Sequence, residues 1–208
     1  MTARRYTEPR LLLATHNPGK VREFERLLAP TGVALDGLGA LPAPAETGAT
    51  FLDNARIKAR AAVAATGRAA LADDSGLVVR GLDGAPGVES ARWAGPEQDF
   101  AHAVRRVHDA LERRFDGFAQ ADHACAFVAV LVLAWPDGHE EVAEGRLEGT
   151  IAWPPRGAGG FGYDPIVVPA GDTRTCAELT PDEKGAVSHR GRAARALIAR
   201  CWPEAAGG

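Results

Sequence analysis

The sequence is short of the features that mark secreted, zinc-binding and membrane proteins. Its three cysteines are odd in number and form no Cys-x-x-Cys pair, which argues against both a disulfide framework and a zinc site. The apolar run near the start, Leu11–Ala14, is far too short for the core of a signal peptide, and no run reaches the length of a transmembrane helix. We therefore expect a cytoplasmic protein, in a reducing compartment, with no membrane partner.

The chain also lacks an excess of positive charge. A net charge of −3 over 208 residues leaves no broad basic surface for duplex nucleic acid, and few aromatics, 6%, disfavour a single-strand binder. An apolar fraction of 46% is ordinary for a globular protein. We expect residues 1–208 to form one domain, or two intimate lobes, with no nucleic-acid partner.

A pattern typical of a phosphate site is present in the segment ATHNPGK, residues 14–20. The segment RLLLAT, residues 10–15, predicts a buried strand, and Asn17 and Pro18 are typical of the N-cap and the first position of a helix. The free N–H groups and the dipole of a helix start favour an anion. Lys20, which we expect to face solvent in the free protein, adds a positive charge. The segment is not a P-loop, which has a glycine, four further residues and then Gly-Lys-Ser or Gly-Lys-Thr.

Helix and strand patterns alternate along the rest of the chain. Capping residues and apolar stripes predict helices over residues 18–28, 50–67, 99–114 and 188–202, with a further capping box at 180–183. Long strands are predicted at 124–135 and 140–151, joined by a turn, and a short strand ends the Gly-rich segment 157–168. This alternation with one antiparallel hairpin predicts an α/β fold with a mixed sheet.

Carboxylates suited to catalysis or metal binding occur in two segments. The sequence DDSG at 73–76 predicts a break between the apolar stretches on either side of it. If this segment is extended, Asp73 and Asp74 point to opposite faces, although the same residues are typical of a turn that caps backbone groups. Glu46 lies in a loop ahead of a helix and is an ordinary solvated carboxylate unless a hard cation such as Mg²⁺ requires it.

Two segments nearer the C-terminus carry groups suited to a nucleotide. In GGFGYDP, Phe161 or Tyr163 is suited to stacking on a planar base, although a tight turn with a packed aromatic has the same composition. Lys184, His189 and Arg190 lie near a helix start, where an exposed basic surface is the alternative. Together with Lys20 and the carboxylates, these groups make up the inventory of a Mg²⁺–nucleotide site.

Taken in order, these segments resemble the inosine triphosphate pyrophosphatase family, also called the Ham1 or RdgB-like family. The resemblance is carried from about residue 11 to 197 by ATHNPGKVREFERLL, ETGATFLDNARIKARAA, ADDSGLVV, GAPGVESARWAG, GGFGYDPIVV and AELTPDEKGAVSHRGRA. It implies hydrolysis of ITP, dITP and XTP to the monophosphate and pyrophosphate, which cleans the nucleotide pool. It also implies an elongated, two-lobed α/β fold with a central mixed sheet and a long active-site cleft, a Mg²⁺ requirement and a homodimer.

The resemblance also implies a role for each matching residue. Asp74 is implied as the general base, and Glu46 and Asp74 as metal ligands, with Asp73 beside them. Ser75 is implied to contact the nucleotide. The triphosphate is implied to lie against Thr15, His16, Asn17, Pro18, Gly19 and Lys20. Base and phosphate are implied to be recognised by Phe161, Gly162, Tyr163, Asp164, Lys184, His189 and Arg190.

Three other functions stay open. A Maf-like pyrophosphatase for pyrimidine or modified nucleotides is disfavoured by the complete SHRG and FGYDP segments. A non-catalytic nucleotide sensor is disfavoured by the presence of both Asp74 and Glu46. A single-stranded nucleic-acid binder is disfavoured by the net charge of −3.

Overall fold

The computed structural model describes residues 3–206, which contain six strands and five α-helices. The strands are Arg10–Leu13 (β1), Ala34–Gly37 (β2), Ala70–Val79 (β3), Ala124–Ala134 (β4), Glu140–Ile151 (β5) and Val167–Pro169 (β6). The helices are Pro18–Leu28 (α1), Phe51–Thr66 (α2), Phe100–Phe115 (α3), Pro181–Val187 (α4) and His189–Cys201 (α5). Within residues 3–206, no helix is both long and apolar enough to cross a membrane.

The six strands form one sheet in the order β2-β1-β3-β4-β5-β6. β1 pairs in parallel with β2 and with β3, whereas β5 and β6 are antiparallel. The predicted α/β fold with a mixed sheet is therefore confirmed. β4 and β5 are neighbours joined by a tight turn, in which Gly138 N–H donates to the Trp135 carbonyl at 3.0 Å. The short edge strand β2 was not predicted from the sequence.

The described residues divide into two compact units. The first unit lies within residues 1–74, 129–145 and 189–208, and the second within 75–128 and 146–188. The predicted domain of two lobes, its elongated shape and its cleft stay predictions.

The first unit has an apolar cluster on each face of its part of the sheet. Leu11 and Leu13 of β1 belong to a cluster that includes residues of α1 and α5, whereas Leu12 belongs to another with Ala55 and Ala59 of α2. Since successive strand residues point to opposite faces, β1 is covered on both sides. Helices α1 and α5 on one face and α2 on the other are thereby fixed against the same strands.

The second unit has a separate core. Val104, Val107 and Leu111 of α3 pack in one cluster with Leu77 of β3 and with Ile166. These α3 residues repeat at helical spacing, so the predicted helix over 99–114 and its buried face are confirmed.

Helices α2 and α4 have the capping residues that the sequence predicts. Thr50 and Asp53 form a reciprocal capping box at the start of α2, and Gly67 ends this helix with φ of 65°. Thr180 and Glu183 form the same arrangement at the start of α4. These interactions span only a few residues, which is why the sequence alone predicts them.

The predicted break at residues 73–76 is wrong, because β3 runs without interruption from Ala70 to Val79. Asp73 and Asp74 are both buried within this strand. A strand tolerates buried carboxylates when cations neutralise them, and such cations are present, as described below.

Candidate active site

The predicted phosphate segment connects β1 to α1 in the first unit. The Asn17 side chain accepts hydrogen bonds from Gly19 N–H at 2.8 Å and from Lys20 N–H at 3.2 Å. Pro18 has no N–H to offer. The N–H groups at 19 and 20 are therefore used by the cap. An anion at the first turn of α1 would interact with the helix dipole and with side chains. His16 is exposed, and Thr15 Oγ1 accepts from Asn17 N–H at 3.2 Å.

The expectation that Lys20 faces solvent is wrong. Its Nζ lies 2.9 Å from Asp73 Oδ1, and its side chain is only 15% exposed. Burial lowers the pKa of Lys20, and the neighbouring Asp73 carboxylate only partly opposes this. The charge predicted for the phosphate site is therefore already engaged with β3.

Asp73 is held between cations on both of its oxygens. Lys20 faces Oδ1, while Arg190 Nε and Nη2, at the start of α5, each donate to Oδ2 at 3.1 Å. Arg190 is 2% exposed and also pairs with Glu23 of α1. Burial by itself raises the pKa of Asp73, but Lys20, Arg190 and Lys58 outweigh it and hold this pKa far below its usual range. Asp73 is therefore a permanently ionised group and a poor proton acceptor.

Asp74, the next residue, has a different set of partners, as expected for alternate faces of a strand. Its Oδ1 lies 2.7 Å from Lys58 Nζ, and its Oδ2 accepts a long hydrogen bond of 3.4 Å from Asn54 Nδ2. Burial raises the pKa of Asp74 above its ordinary value despite the opposing charge of Lys58. A carboxylate with a raised pKa is the better general base of the two.

Lys58 is the residue that the sequence analysis missed. It lies on α2, four residues after Asn54, so the two side chains share one helix face. Its Nζ contacts Glu46 Oε1 at 3.1 Å as well as Asp74, and its side chain is 12% exposed. A lysine on a face that also carries the buried Ala55 and Ala59 is the signal that was available in the sequence.

The predicted metal ligands fit a hard cation. Glu46 Oε1 and Asp74 Oδ1 converge on one point, since both contact the same ammonium nitrogen. Carboxylate oxygens are the protein ligands that Mg²⁺ prefers, and Mg²⁺ on a nucleotide usually takes one or two of them. Burial of Asp74 and partial exposure of Glu46 leave one side of this pair accessible to a ligand.

The predicted base-recognition loop lies in the second unit. Asp164 Oδ2 accepts from Phe161 N–H at 2.7 Å and from Lys184 Nζ at 2.7 Å. Lys184 Nζ also lies 4.8 Å from the centroid of the Phe161 ring. Gly160 is required here, because its φ is +69° and a Cβ would lie 2.1 Å from Asp164 Oδ2. The buried Asp164–Lys184 pair thus fixes the position of a half-buried aromatic ring.

Tyr163 has a different environment from Phe161. It is 3% exposed, packs edge-on against Phe100 with centroids 5.7 Å apart, and donates its hydroxyl to the Ser90 carbonyl at 2.9 Å. Its ring is therefore occupied in packing, and Phe161 is the better placed of the two for stacking on a base. Gly162 and Ser75 are half-buried.

The predicted site residues therefore form groups within each unit. The first unit brings together Lys20, Asp73 and Arg190, and next to them Glu46, Lys58 and Asp74. His189, the first residue of α5, is buried in the same unit. The second unit brings together Phe161, Asp164 and Lys184.

Residues 11–200 match the sequence model of the Ham1 family. The chain belongs to the Ham1 family. A dITP/XTP pyrophosphatase of Rhodospirillum centenum is 54% identical, covering 97% of this chain and all of that protein. One of Streptomyces coelicolor is 50% identical, covering 91% of this chain and 95% of the relative.

Solved structures of Ham1 proteins have the same fold. A HAM1 protein from Coxiella burnetii superposes with a TM-score of 0.82 at 41% identity, covering 91% of this chain and 96% of the other. A protein of Mycobacterium abscessus, named a nucleoside-triphosphatase / dITP/XTP pyrophosphatase, gives a TM-score of 0.70 at 47% identity, with 90% and 97% of the two chains covered.

Proposed function

We propose that this Ham1 protein is a nucleoside triphosphate pyrophosphatase that hydrolyses the non-canonical purine nucleotides ITP, dITP and XTP to the monophosphate and pyrophosphate. The observation that carries the proposal is the contrast between Asp73, neutralised by Lys20 and Arg190, and Asp74, whose pKa is raised. The names of the close relatives support the substrate class, since both are dITP/XTP pyrophosphatases.

Asp74 is the proposed general base. Its carboxylate would orient a water molecule and accept its proton as the water attacks the α-phosphorus. The raised pKa improves its ability to take that proton. Asp73 would serve a different purpose, holding Lys20 and Arg190 beside the phosphates.

Glu46 and Asp74 would hold a divalent cation, Mg²⁺ in our proposal. When bound, this ion supplies charge neutralisation for the triphosphate. Lys20 adds a side-chain cation near the start of α1 and would stabilise the negative charge that develops on the leaving pyrophosphate. Residues Thr15–Gly19 would lie against those phosphates.

Phe161–Asp164, Lys184, His189 and Arg190 are proposed to recognise the base and the phosphates. Hypoxanthine and xanthine present O6 as an acceptor and N1–H as a donor, whereas adenine presents the reverse pattern. The ammonium of Lys184, held by Asp164 at 2.7 Å, is a donor suited to O6 and unsuited to the adenine amine. A site built on such hydrogen bonds discriminates by roughly 10⁴-fold or more.

The experiment that tests the function is a panel of nucleoside triphosphates assayed with Mg²⁺, with pyrophosphate and orthophosphate quantified separately. We expect ITP, dITP and XTP to release pyrophosphate far faster than ATP and the pyrimidine nucleotides. Stepwise loss of orthophosphate would refute the reaction, and a preference for pyrimidine nucleotides would favour the Maf-like alternative. The homodimer and the cytoplasmic location stay predictions, and light scattering tests the first.

A further inference from the structure

Lys58 occupies an unusual position for a lysine of an enzyme that binds a metal. Its ammonium lies between the two carboxylates expected to hold the ion, 3.1 Å from Glu46 Oε1 and 2.7 Å from Asp74 Oδ1. The side chain is 12% exposed, so it is packed rather than extended into solvent. Burial acts to lower the pKa of Lys58, but Asp74, Asp73 and Glu46 outweigh it and raise this pKa, so the group stays charged.

A divalent ion and this ammonium require the same oxygens. Mg²⁺ binds carboxylate oxygens at about 2.0–2.1 Å and demands near-ideal geometry around itself. An ammonium nitrogen within hydrogen-bond distance of Glu46 Oε1 and Asp74 Oδ1 lies in the volume that such an ion would fill. Two cations at this separation also repel each other strongly at a partly buried site.

We propose that Lys58 is the resident cation of the carboxylate pair Glu46–Asp74, and that a divalent ion binds only by displacing its ammonium. This inference rests on the proposed function for the assignment of Glu46 and Asp74 as metal ligands. In the metal-free protein Lys58 holds the two carboxylates together without mutual repulsion. Once displaced, it keeps its charge on a flexible four-carbon stem and becomes available to the anionic phosphates that arrive with the metal.

The proposal predicts that removal of Lys58 tightens metal binding by the free protein. When a competitor fills the site, the apparent affinity equals the intrinsic affinity multiplied by the fraction of molecules in which the site is open. If the ammonium fills the site about nine times in ten, Lys58→Met binds Mn²⁺ about tenfold more tightly than the natural protein. Mn²⁺ alone, titrated without nucleotide and followed by electron paramagnetic resonance of the free ion, is the probe.

Arg56 provides a matched control for the general effect of lost charge. It lies on the same helix, two residues away, and pairs with Glu140 at 3.0 Å rather than with Glu46 or Asp74. Arg56→Met removes the same charge, and we expect its Mn²⁺ affinity to change less than twofold, because Arg56 pairs with a different carboxylate and solvent screens its half-exposed charge. Adding Asp74→Asn to Lys58→Met should abolish the tight binding, which assigns it to this carboxylate pair.

A second measurement uses the natural protein and does not depend on any variant folding. An ammonium displaced from its carboxylates reacts faster with an amine-modifying reagent, so Mn²⁺ should increase the modification of Lys58 measured by mass spectrometry. An equal or weaker Mn²⁺ affinity of folded Lys58→Met, the same gain in Arg56→Met, or modification of Lys58 that Mn²⁺ leaves unchanged would each overturn the proposal. Neither experiment contains a nucleotide, so their outcome is separate from that of the substrate panel.

Discussion

Asp73 and Asp74 are adjacent in one strand and chemically identical, yet their surroundings differ in almost every respect. Asp73 is enclosed by Lys20 and Arg190 and has a strongly lowered pKa. Asp74 faces Lys58 and a weak amide donor, and burial raises its pKa. The difference shows that strand alternation sends neighbouring carboxylates to different partners and so shifts their pKa values in opposite directions.

The largest effect on stability is expected at Asp73. Asp73→Asn leaves the buried Lys20 and Arg190 without their shared carboxylate, and breaking a buried pair costs about 3–5 kcal/mol of unfolding free energy. Asp74→Asn should cost about 1 kcal/mol or less, because Lys58 keeps Glu46 as a partner. Urea unfolding of both variants measures the contrast. Equal losses of stability would remove the distinction between the two aspartates.

Lys20→Ala tests whether Lys20, which pairs with Asp73, also binds the phosphates. We expect ITP turnover to fall about 10²-fold, because a charge that stabilises the leaving group is lost. We also expect a loss of about 1–3 kcal/mol in stability, since Asp73 then loses the ion pair on one of its oxygens and keeps Arg190 on the other. Steady-state kinetics at a temperature well below the melting point separate the two effects. Normal kinetics in a folded variant would remove Lys20 from the phosphate site.

The pH dependence of turnover should follow Asp74 and not Asp73. Asp74 accepts a proton only when ionised, so kcat/KM should fall as pH drops through its raised pKa. The stabilising contribution of Asp73 is present above the pKa of the unfolded chain and is lost only as pH falls through its lowered value. An acid limb of kcat/KM at or below the ordinary pKa of aspartic acid, about 3.9, would contradict this assignment.

Tyr163 provides a reference point outside both aspartate clusters and is expected to show the smallest effect. Tyr163→Phe removes one hydrogen bond, to the Ser90 carbonyl, which costs about 1 kcal/mol of stability. ITP turnover should stay within a few-fold of the natural protein, because the buried ring remains in place. A large loss of selectivity for ITP over ATP would indicate that the hydroxyl contacts the base.

The sequence predicted the local features of the fold. The Asn17 cap and the Thr50–Asp53 capping box each span two or three residues. The local sequence pattern therefore predicts them. The continuity of β3 was not predictable in this way. It depends on cations that arrive from elsewhere, and Arg190 is 117 residues from Asp73 in the sequence.

The same reasoning explains the errors at Lys20 and Lys58. Lys20 was expected in solvent because its local surroundings are those of an exposed helix start, while its partner lies on another strand. Lys58 belongs to a helix face rich in alanine and gives no local sign that Glu46 and Asp74 converge on it. Long-range charge pairing, rather than secondary structure, is the part that the sequence left open.

Asp74 is the carboxylate that we propose to accept the proton of the attacking water. The most direct test is ITP hydrolysis by folded Asp74→Asn protein, with pyrophosphate quantified and nucleotide binding measured separately. An amide cannot accept that proton, so we expect turnover to fall by about 10²–10⁴-fold while nucleotide binding is largely kept. A folded Asp74→Asn protein that retains most of its rate would contradict the claim.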